Sequence, residues 1–198
     1  MDASPTLNRC PWCGTTDPLY LAYHDEEWGV PERDARALWE KLVLDGFQAG
    51  LAWITILRKR EGLRAAFDDF DPEVVAGYTE AEVDRLLTDS RVIRSRAKIE
   101  AAIGGARIWL AMRDEGEDFS DWLWSFVDGR PIQTIHADYR AMPTQTPQSV
   151  ALSKALKGRG FKFCGPVITY AFMQAVGMVN DHETSCFRHE PVRAMGDA

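Results

Sequence analysis

The sequence predicts an all-α fold, and three observations support this. Apolar residues recur at spacings of three and four, most clearly at Ile99, Ile103, Ala106 and Leu110. Helix-start signals precede several such stretches, and no stretch alternates apolar and polar residues as a half-buried strand would. With 198 residues and 45% hydrophobic content, the chain can bury a core as one domain or as two closely packed lobes.

The expected elements follow in order along the chain. Residues 9–31 look irregular but rich in aromatic residues, so we expect this segment to fold back onto the body. Helices are predicted at about 32–45, 50–67, 95–114 and 165–176, with a long connection over 128–146. Further helices are predicted to begin at Pro72, after Thr79, near Ser120 and at Pro147, and the last of these to stop near Gly158 and Gly160. Four helix starts are expected from capping signals: Asp71 before Pro72, the capping box at Thr79, Ser120, and Thr146 before Pro147.

The stretch from Asp45 to Trp53 places a carboxylate and a large ring on either side of a turn. Gly46 and Gly50 within it suit close backbone approach or a positive φ. An acid beside a flat ring can bind a flat, partly cationic, hydrogen-bonding group such as a damaged nucleobase. Taken alone, the stretch also fits an ordinary turn between helices with a core tryptophan.

The basic residues are clustered although the net charge is −7, a charge that argues against a protein that simply coats nucleic acid. One cluster surrounds the segment 160–165, which lies between two predicted helices and is bounded by glycines; its members are Lys154, Lys157, Arg159 and Lys162. Backbone N–H groups at such a helix junction can bind phosphate. An ordinary turn between two helices is an equally good interpretation of this segment.

Cysteine and histidine residues near both ends of the chain suggest a metal site. His182 and Cys186 stand four apart, which places them on one face of a helical turn, and Cys10, Cys13 and His24 lie near the other terminus. Two imidazoles and two thiolates would close a tetrahedral zinc site of the structural type. The alternative is a set of unrelated core cysteines and surface histidines.

The remaining expectations concern location. Four cysteines in a chain of this size do not make a disulfide scaffold, so we expect a reduced, cytoplasmic setting. We expect no secretion signal, because the first eight residues lack an apolar core, and no membrane partner, because no apolar run approaches the span of a bilayer.

Several stretches together resemble bacterial 3-methyladenine DNA glycosylase I, a branch of the helix-hairpin-helix DNA glycosylases. They cover nearly the whole chain from Cys10 to Cys186, in order and at matching spacing. The matching stretches are residues 17–31, 48–55, 92–94 with 98–99, 124–127, 152–157 with 159–163, and 179–182.

The resemblance implies a two-lobed helix-hairpin-helix fold in a single domain over residues 1–198, with the base pocket between the lobes. It implies a monomer that acts on double-stranded DNA containing alkylated purines. The implied reaction is hydrolysis of the N-glycosidic bond of 3-methyladenine, and also of 3-methylguanine, leaving an abasic site. Asn180 stands where many relatives carry an Asp, and no lysine aligns with the usual nucleophile, so we expect no strand cleavage.

The resemblance also assigns residues. One structural Zn²⁺ per chain is expected on Cys10, His24, His182 and Cys186, with Cys13 as a competitor for Cys10. The expected base-binding residues are Trp12, Tyr20, Tyr23, Trp28 and Trp53, and the expected DNA-binding residues are Gly50, Leu51, Lys154, Lys157, Arg159 and Lys162.

The expected catalytic residue is Asp45. The family's usual pocket acid is Glu, so this carboxylate reaches about 1.5 Å less far, which affects substrate preference and rate more than reaction class. Two other functions remain open: a non-catalytic, zinc-stabilised binder of damaged or abasic DNA, and a glycosylase for another modified purine.

Overall fold

The computed structural model describes residues 7–196, and almost all of their regular structure is helical. The α-helices, numbered α1 to α10 in chain order, are Pro18–Ala22, Ala35–Gln48, Trp53–Ala66, Pro72–Ala76, Glu80–Thr88, Arg96–Asp114, Phe119–Trp124, Pro147–Arg159, Pro166–Ala175 and His189–Gly196. Strands β1 (Ile132–Gln133) and β2 (Val179–Asn180) pair in parallel. The all-α class is confirmed, and the two-residue strands are too short to leave an alternating pattern in the sequence.

The N-terminal segment differs from the prediction of irregular structure. The Asp17 carboxylate accepts hydrogen bonds from two backbone N–H groups, and Pro18 occupies the first helical position, so α1 begins there. α1 then continues into one π-helical turn, Tyr23–Glu27, whose first two residues, Tyr23 and His24, are both buried. This turn therefore directs a phenol and an imidazole into the body of the protein.

Three further predictions about local structure need correction. Helix α2 begins at Ala35, capped by Asp34, and extends to Gln48, so Asp45 lies inside its last turn. Asp118, not Ser120, caps α7, because the Asp118 carboxylate accepts from the Asp121 N–H. The residues from 181 to 188 form turns instead of a helix, and α10 after them was not predicted.

The largest apolar cluster packs around α2, α6 and α9. Its biggest fully buried side chains include Trp39, Phe47, Trp124 and Phe172. A smaller cluster, formed by Cys10, Tyr23, Trp28, Leu57, Ala175 and Cys186, joins the N-terminal segment to α3, α9 and the C-terminal turns. Within residues 7–196, every helix is too short or too polar to cross a lipid bilayer.

Candidate functional site

The turn between α2 and α3 carries two of the residues predicted to contact DNA. Gly50 has a φ of +83°, a conformation that favours glycine, and Leu51 beside it keeps 40% of its surface exposed. The Lys98 ammonium group on α6 donates to the backbone oxygens of Phe47 and Ala49, at 2.8 and 2.7 Å. Lys98 therefore anchors the C-terminal end of α2, and the turn presents Leu51 outward.

A cavity of about 240 Å³ opens beside this turn, between α1, α2, α3 and α9. All five predicted base-binding residues and Asp45 line it, together with Lys41, Gln48, Tyr139, Met142, Ala171, Gln174 and Ala175. The Tyr23 and Trp53 rings lie 5.4 Å apart between centroids, and those of Trp12 and Trp28 lie 4.9 Å apart. The aromatic walls of the cavity thus pack against one another.

Asp45 does not face the cavity as an isolated carboxylate. The Lys41 ammonium group, one helical turn earlier on α2, lies 2.9 Å from each of its oxygens. The same ammonium nitrogen lies 3.8 Å from the centroid of the Trp53 ring. The acid and the ring that were predicted to hold a cationic base therefore already hold a cation of the protein itself.

Burial has opposite effects on the two partners of this pair. It raises the pKa of Asp45, which the neighbouring ammonium group lowers again, and it lowers the pKa of Lys41, which the carboxylate raises again. Lys41 was not predicted as a site residue. The only signal in the sequence was its spacing of four from Asp45, which is equally typical of a pair on an exposed helix surface.

Other polar groups belong to residues that line the cavity, and Gln174 among these residues was not predicted. The indole N–H groups of Trp12 and Trp53 are buried and have no hydrogen-bond partner among residues 7–196. Gln174 on α9 donates to the buried carboxylate of Asp181, which also accepts from the Tyr170 hydroxyl. Asp181 therefore fixes the orientation of a cavity-lining amide.

The four predicted zinc ligands lie together, and all four are buried. Their ligand atoms lie within 4.8 Å of one another. The Cys186 sulfur lies 3.5 Å from His24 Nε2 and 3.6 Å from His182 Nδ1, and the Cys10 sulfur lies 3.5 Å from His182 Nδ1. A tetrahedral zinc site with ordinary bond lengths requires sulfur–nitrogen separations of roughly 3.6 Å. The donor set therefore fits zinc, although the turns from 181 to 188, and not a helix, bring His182 and Cys186 together.

The hydrogen-bond partners of the two histidine side chains are also those expected around a bound metal. His24 Nδ1 lies 2.8 Å from the Asp25 carboxylate, which Arg9 holds, and His182 Nε2 lies 3.0 Å from the Trp28 carbonyl oxygen. Each imidazole thus has one nitrogen engaged and the other directed at the cluster.

Cys13, the competitor for the first ligand position, lies outside this cluster. Its thiol donates to the Cys10 carbonyl oxygen at 3.1 Å. The Cys10 sulfur instead accepts a hydrogen bond from the Glu183 backbone N–H. The structure therefore brings Cys10, and not Cys13, to the other three donors.

The predicted phosphate-binding segment joins α8 to α9. Gly160 ends α8 with a φ of +102°, and Gly165 precedes Pro166 at the start of α9. The side chains of Lys154, Lys157 and Lys162 are exposed around it. Arg159 differs, because its guanidinium bonds to Glu117 at 2.6 Å and lies 4.8 Å from the Trp122 ring centroid. Three of the four predicted cations are thus available to a phosphate.

Comparisons with known proteins agree with this geometry. The chain is 54% identical to DNA-3-methyladenine glycosylase 1 of Escherichia coli (strain K12) over 180 residues, which are 91% of this chain and 96% of that protein. A crystal structure of a 3-methyladenine DNA glycosylase I, 57% identical, aligns with a TM-score of 0.90 and covers 92% of this chain and 100% of that one.

A second solved structure was determined with a ligand. It is a variant of a 3-methyladenine DNA glycosylase I in complex with 3-methyladenine, with 39% identity and a TM-score of 0.88, covering 92% of this chain and 98% of that one. A sequence model of the methyladenine glycosylase family matches residues 12–189 of the chain. On these grounds, the chain belongs to the methyladenine glycosylase family.

Proposed function

We propose that this protein is a DNA repair glycosylase that hydrolyses the N-glycosidic bond of 3-methyladenine in double-stranded DNA. The observation that carries the proposal is the aromatic cavity of about 240 Å³ beside the turn that exposes Leu51. A base inside a duplex cannot reach such a cavity, so the damaged nucleotide must leave the stack first. The names of the similar proteins support the same substrate. 3-Methylguanine is the second substrate that we propose.

The chemistry of the lesion explains why an aromatic pocket with one acid suffices. A methyl group at N3 gives the nucleobase a positive charge and makes it a good leaving group, so little acid catalysis is required. The Trp53 and Tyr23 rings can hold the cationic face by cation–π attraction. Asp45 can accept a hydrogen bond from the exocyclic amine. Water then attacks C1′ of the sugar, and an abasic site remains.

Contacts with the DNA are proposed at two places. Leu51, presented by the Gly50 turn, inserts into the base stack at the position of the departed nucleotide. The α8–α9 segment acts as the helix-hairpin-helix element, with Lys154, Lys157 and Lys162 on the backbone phosphates. We assign Arg159 to positioning this segment, because Glu117 already binds its guanidinium.

We also propose one structural Zn²⁺ per chain, held by Cys10, His24, His182 and Cys186. Bound there, the metal would supply a crosslink between the two terminal segments and no catalytic water, because four protein ligands close the site. Trp28, which lines the base cavity, packs against His182 with ring centroids 4.6 Å apart. Displacement of His182 would therefore also displace a wall of the base cavity. We propose that residues 1–198 form one domain that acts as a monomer.

The test is release of methylated purines from N-methylated duplex DNA by the purified protein. We expect free 3-methyladenine and intact strands that break only after heating in alkali, as abasic DNA does. Asp45→Asn should release the base more slowly by at least about tenfold, since one charge-assisted hydrogen bond is worth about 1.5–3 kcal/mol. Binding of abasic DNA without any base release would instead support a non-catalytic binder. Release of a different modified purine, without release of 3-methyladenine, would support a glycosylase for another modified purine.

A further inference from the structure

The base cavity contains a cation of its own at the position where a cationic base would bind. The Lys41 ammonium group lies 2.9 Å from both oxygens of Asp45 and 3.8 Å from the Trp53 ring centroid. A carboxylate and the face of a tryptophan are the two groups that attract a cation in this cavity. Both are occupied by one side chain, which is itself only 15% exposed.

We propose that Lys41 is a specificity-determining residue, because its ammonium group must leave the position between Asp45 and Trp53 before a cationic base can bind. The proposal rests on the function proposed above. With Lys41 in place, the pair that it forms with Asp45 is neutral, so the cavity offers an incoming cation no net attraction. Lys41 thereby weakens the preference of the cavity for a cationic base over a neutral base of the same shape.

A second cavity gives the ammonium group a place to move. It has a volume of about 250 Å³, shares Lys41, Tyr23 and Ala175 with the base cavity, and is otherwise lined mainly by α2, α3 and the π-helical turn. Apart from Lys41, its charged lining consists of the carboxylates of Glu26, Glu27, Glu32 and Glu40 and the guanidinium groups of Arg60 and Arg64. A lysine side chain has a flexible four-carbon stem, so rotation can move the ammonium group from Asp45 towards Glu26 or Glu32, the two of these carboxylates that have no guanidinium partner among residues 7–196.

Two of the carboxylates near Lys41 already have arginine partners. Glu27, from the π-helical turn, and Arg60, from α3, act on the charge of Lys41 in opposite directions, and they bind each other through two guanidinium nitrogens. Glu40, next to Lys41 on α2, is bonded to Arg64 of α3. From α9, the cavity lining receives only the neutral side chains of Ala171, Gln174 and Ala175. Asp45 is therefore the carboxylate that a displaced Lys41 leaves free for the base.

The experiment compares a cationic probe with a neutral one of similar shape. 3,9-Dimethyladeninium carries a permanent positive charge, and 9-methyladenine is neutral; the methyl group at N9 takes the place of the sugar. Binding of each is measured at pH 8 by quenching of tryptophan fluorescence. The proteins are the wild type, Lys41→Met, Lys41→Gln and Lys59→Met. Lys59 donates to the Ser90 carbonyl oxygen on the protein surface, so its replacement controls for the loss of one charge.

We expect Lys41→Met to bind the cation on the order of tenfold more tightly, as one additional cation–π and ion-pair contact implies, with the neutral base changed less than twofold. Lys41→Gln should do the same, which guards against a folding defect of one variant, and Lys59→Met should match the wild type. An equal change for both probes, weaker binding of the cation, or no binding by any of the proteins would overturn the proposal. Base release from methylated DNA by the same wild-type preparation tests the proposed function separately.

Discussion

Replacing Asp45 by Asn should reveal how strongly the buried ion pair couples to folding. The variant keeps the shape of the side chain but leaves the Lys41 ammonium group without its counter-ion, a change that typically costs 3–5 kcal/mol. Lys41 can limit this cost by losing its proton. At pH 7, deprotonating a lysine of ordinary pKa costs about 5 kcal/mol. Burial lowers the pKa of Lys41, so deprotonating Lys41 costs less, and this smaller cost is the most that the variant can lose. We therefore expect a loss of about 3 kcal/mol in the free energy of unfolding.

The pH dependence of this loss has a definite sign. The pKa of Lys41 is lower in the folded chain than in the unfolded chain, and the carboxylate of Asp45 partly opposes that lowering. In Asp45→Asn the folded pKa falls further, while the unfolded value stays near 10.5. Between the two values the unfolded chain binds more protons, so stability rises with pH. The deficit of the variant should therefore shrink as the pH is raised from 7 towards 10.

The assay is urea denaturation of a double-mutant cycle. Wild type, Asp45→Asn, Lys41→Met and the double variant are unfolded at several values of pH, and the free energies of unfolding are extrapolated to water. We expect the double variant to lie within about 1.5 kcal/mol of the wild type, since replacing both partners removes both uncompensated groups. Additive single effects with a coupling below about 0.5 kcal/mol, or a deficit that grows with pH, would refute this account of the pair.

Four further predictions follow from other parts of the structure. Cys186→Ser should lose about one equivalent of zinc by elemental analysis, while Cys13→Ser, a buried cysteine outside the cluster, should keep it. Gly177→Ala should destabilise by about 3 kcal/mol or more in denaturation, because its Cβ would lie 2.4 Å from the Pro31 nitrogen, whereas Gly116→Ala, with no atom within 4 Å, should cost about 1 kcal/mol. Leu51→Ala should slow base release from duplex DNA without changing stability by more than about 0.5 kcal/mol, and the similarly exposed Val74→Ala should change neither. Borohydride should trap no covalent protein–DNA complex; an adduct that disappears in Lys41→Met would identify Lys41 as a nucleophile.

The sequence was informative where a local physical rule acts alone. Asp71 before Pro72 and the capping box at Thr79 fixed two helix starts, because capping depends only on neighbouring residues. The turn at Gly50 was predictable for the same reason. The prediction of Ser120 as the cap was wrong, because the carboxylate of Asp118, two residues earlier, accepts the hydrogen bond from the Asp121 N–H and starts the helix. The π-helical turn at Tyr23 was missed because no composition signal distinguishes one wide turn from irregular chain.

The candidate site was less predictable, because it depends on contacts between distant residues. The spacing of Cys10, His24, His182 and Cys186 is typical of no zinc motif, and the four donors meet only because both termini fold over the same end of the protein. Gln174 lines the cavity in an orientation that Asp181 sets from its position directly after β2. Tyr139 and Met142 reach the cavity from the long connection after β1, whose path no helical pattern predicts.

Asp45 and Lys41 are best understood as one unit. A glutamate at position 45 would extend the carboxylate by about 1.5 Å in a cavity where the Lys41 ammonium group already lies 3.8 Å from the Trp53 ring centroid. In this structure the Lys41 ammonium group compensates the buried charge of the shorter acid, because it lies 2.9 Å from both carboxylate oxygens. A substitution at either position changes both the charge and the space that a base meets in this cavity.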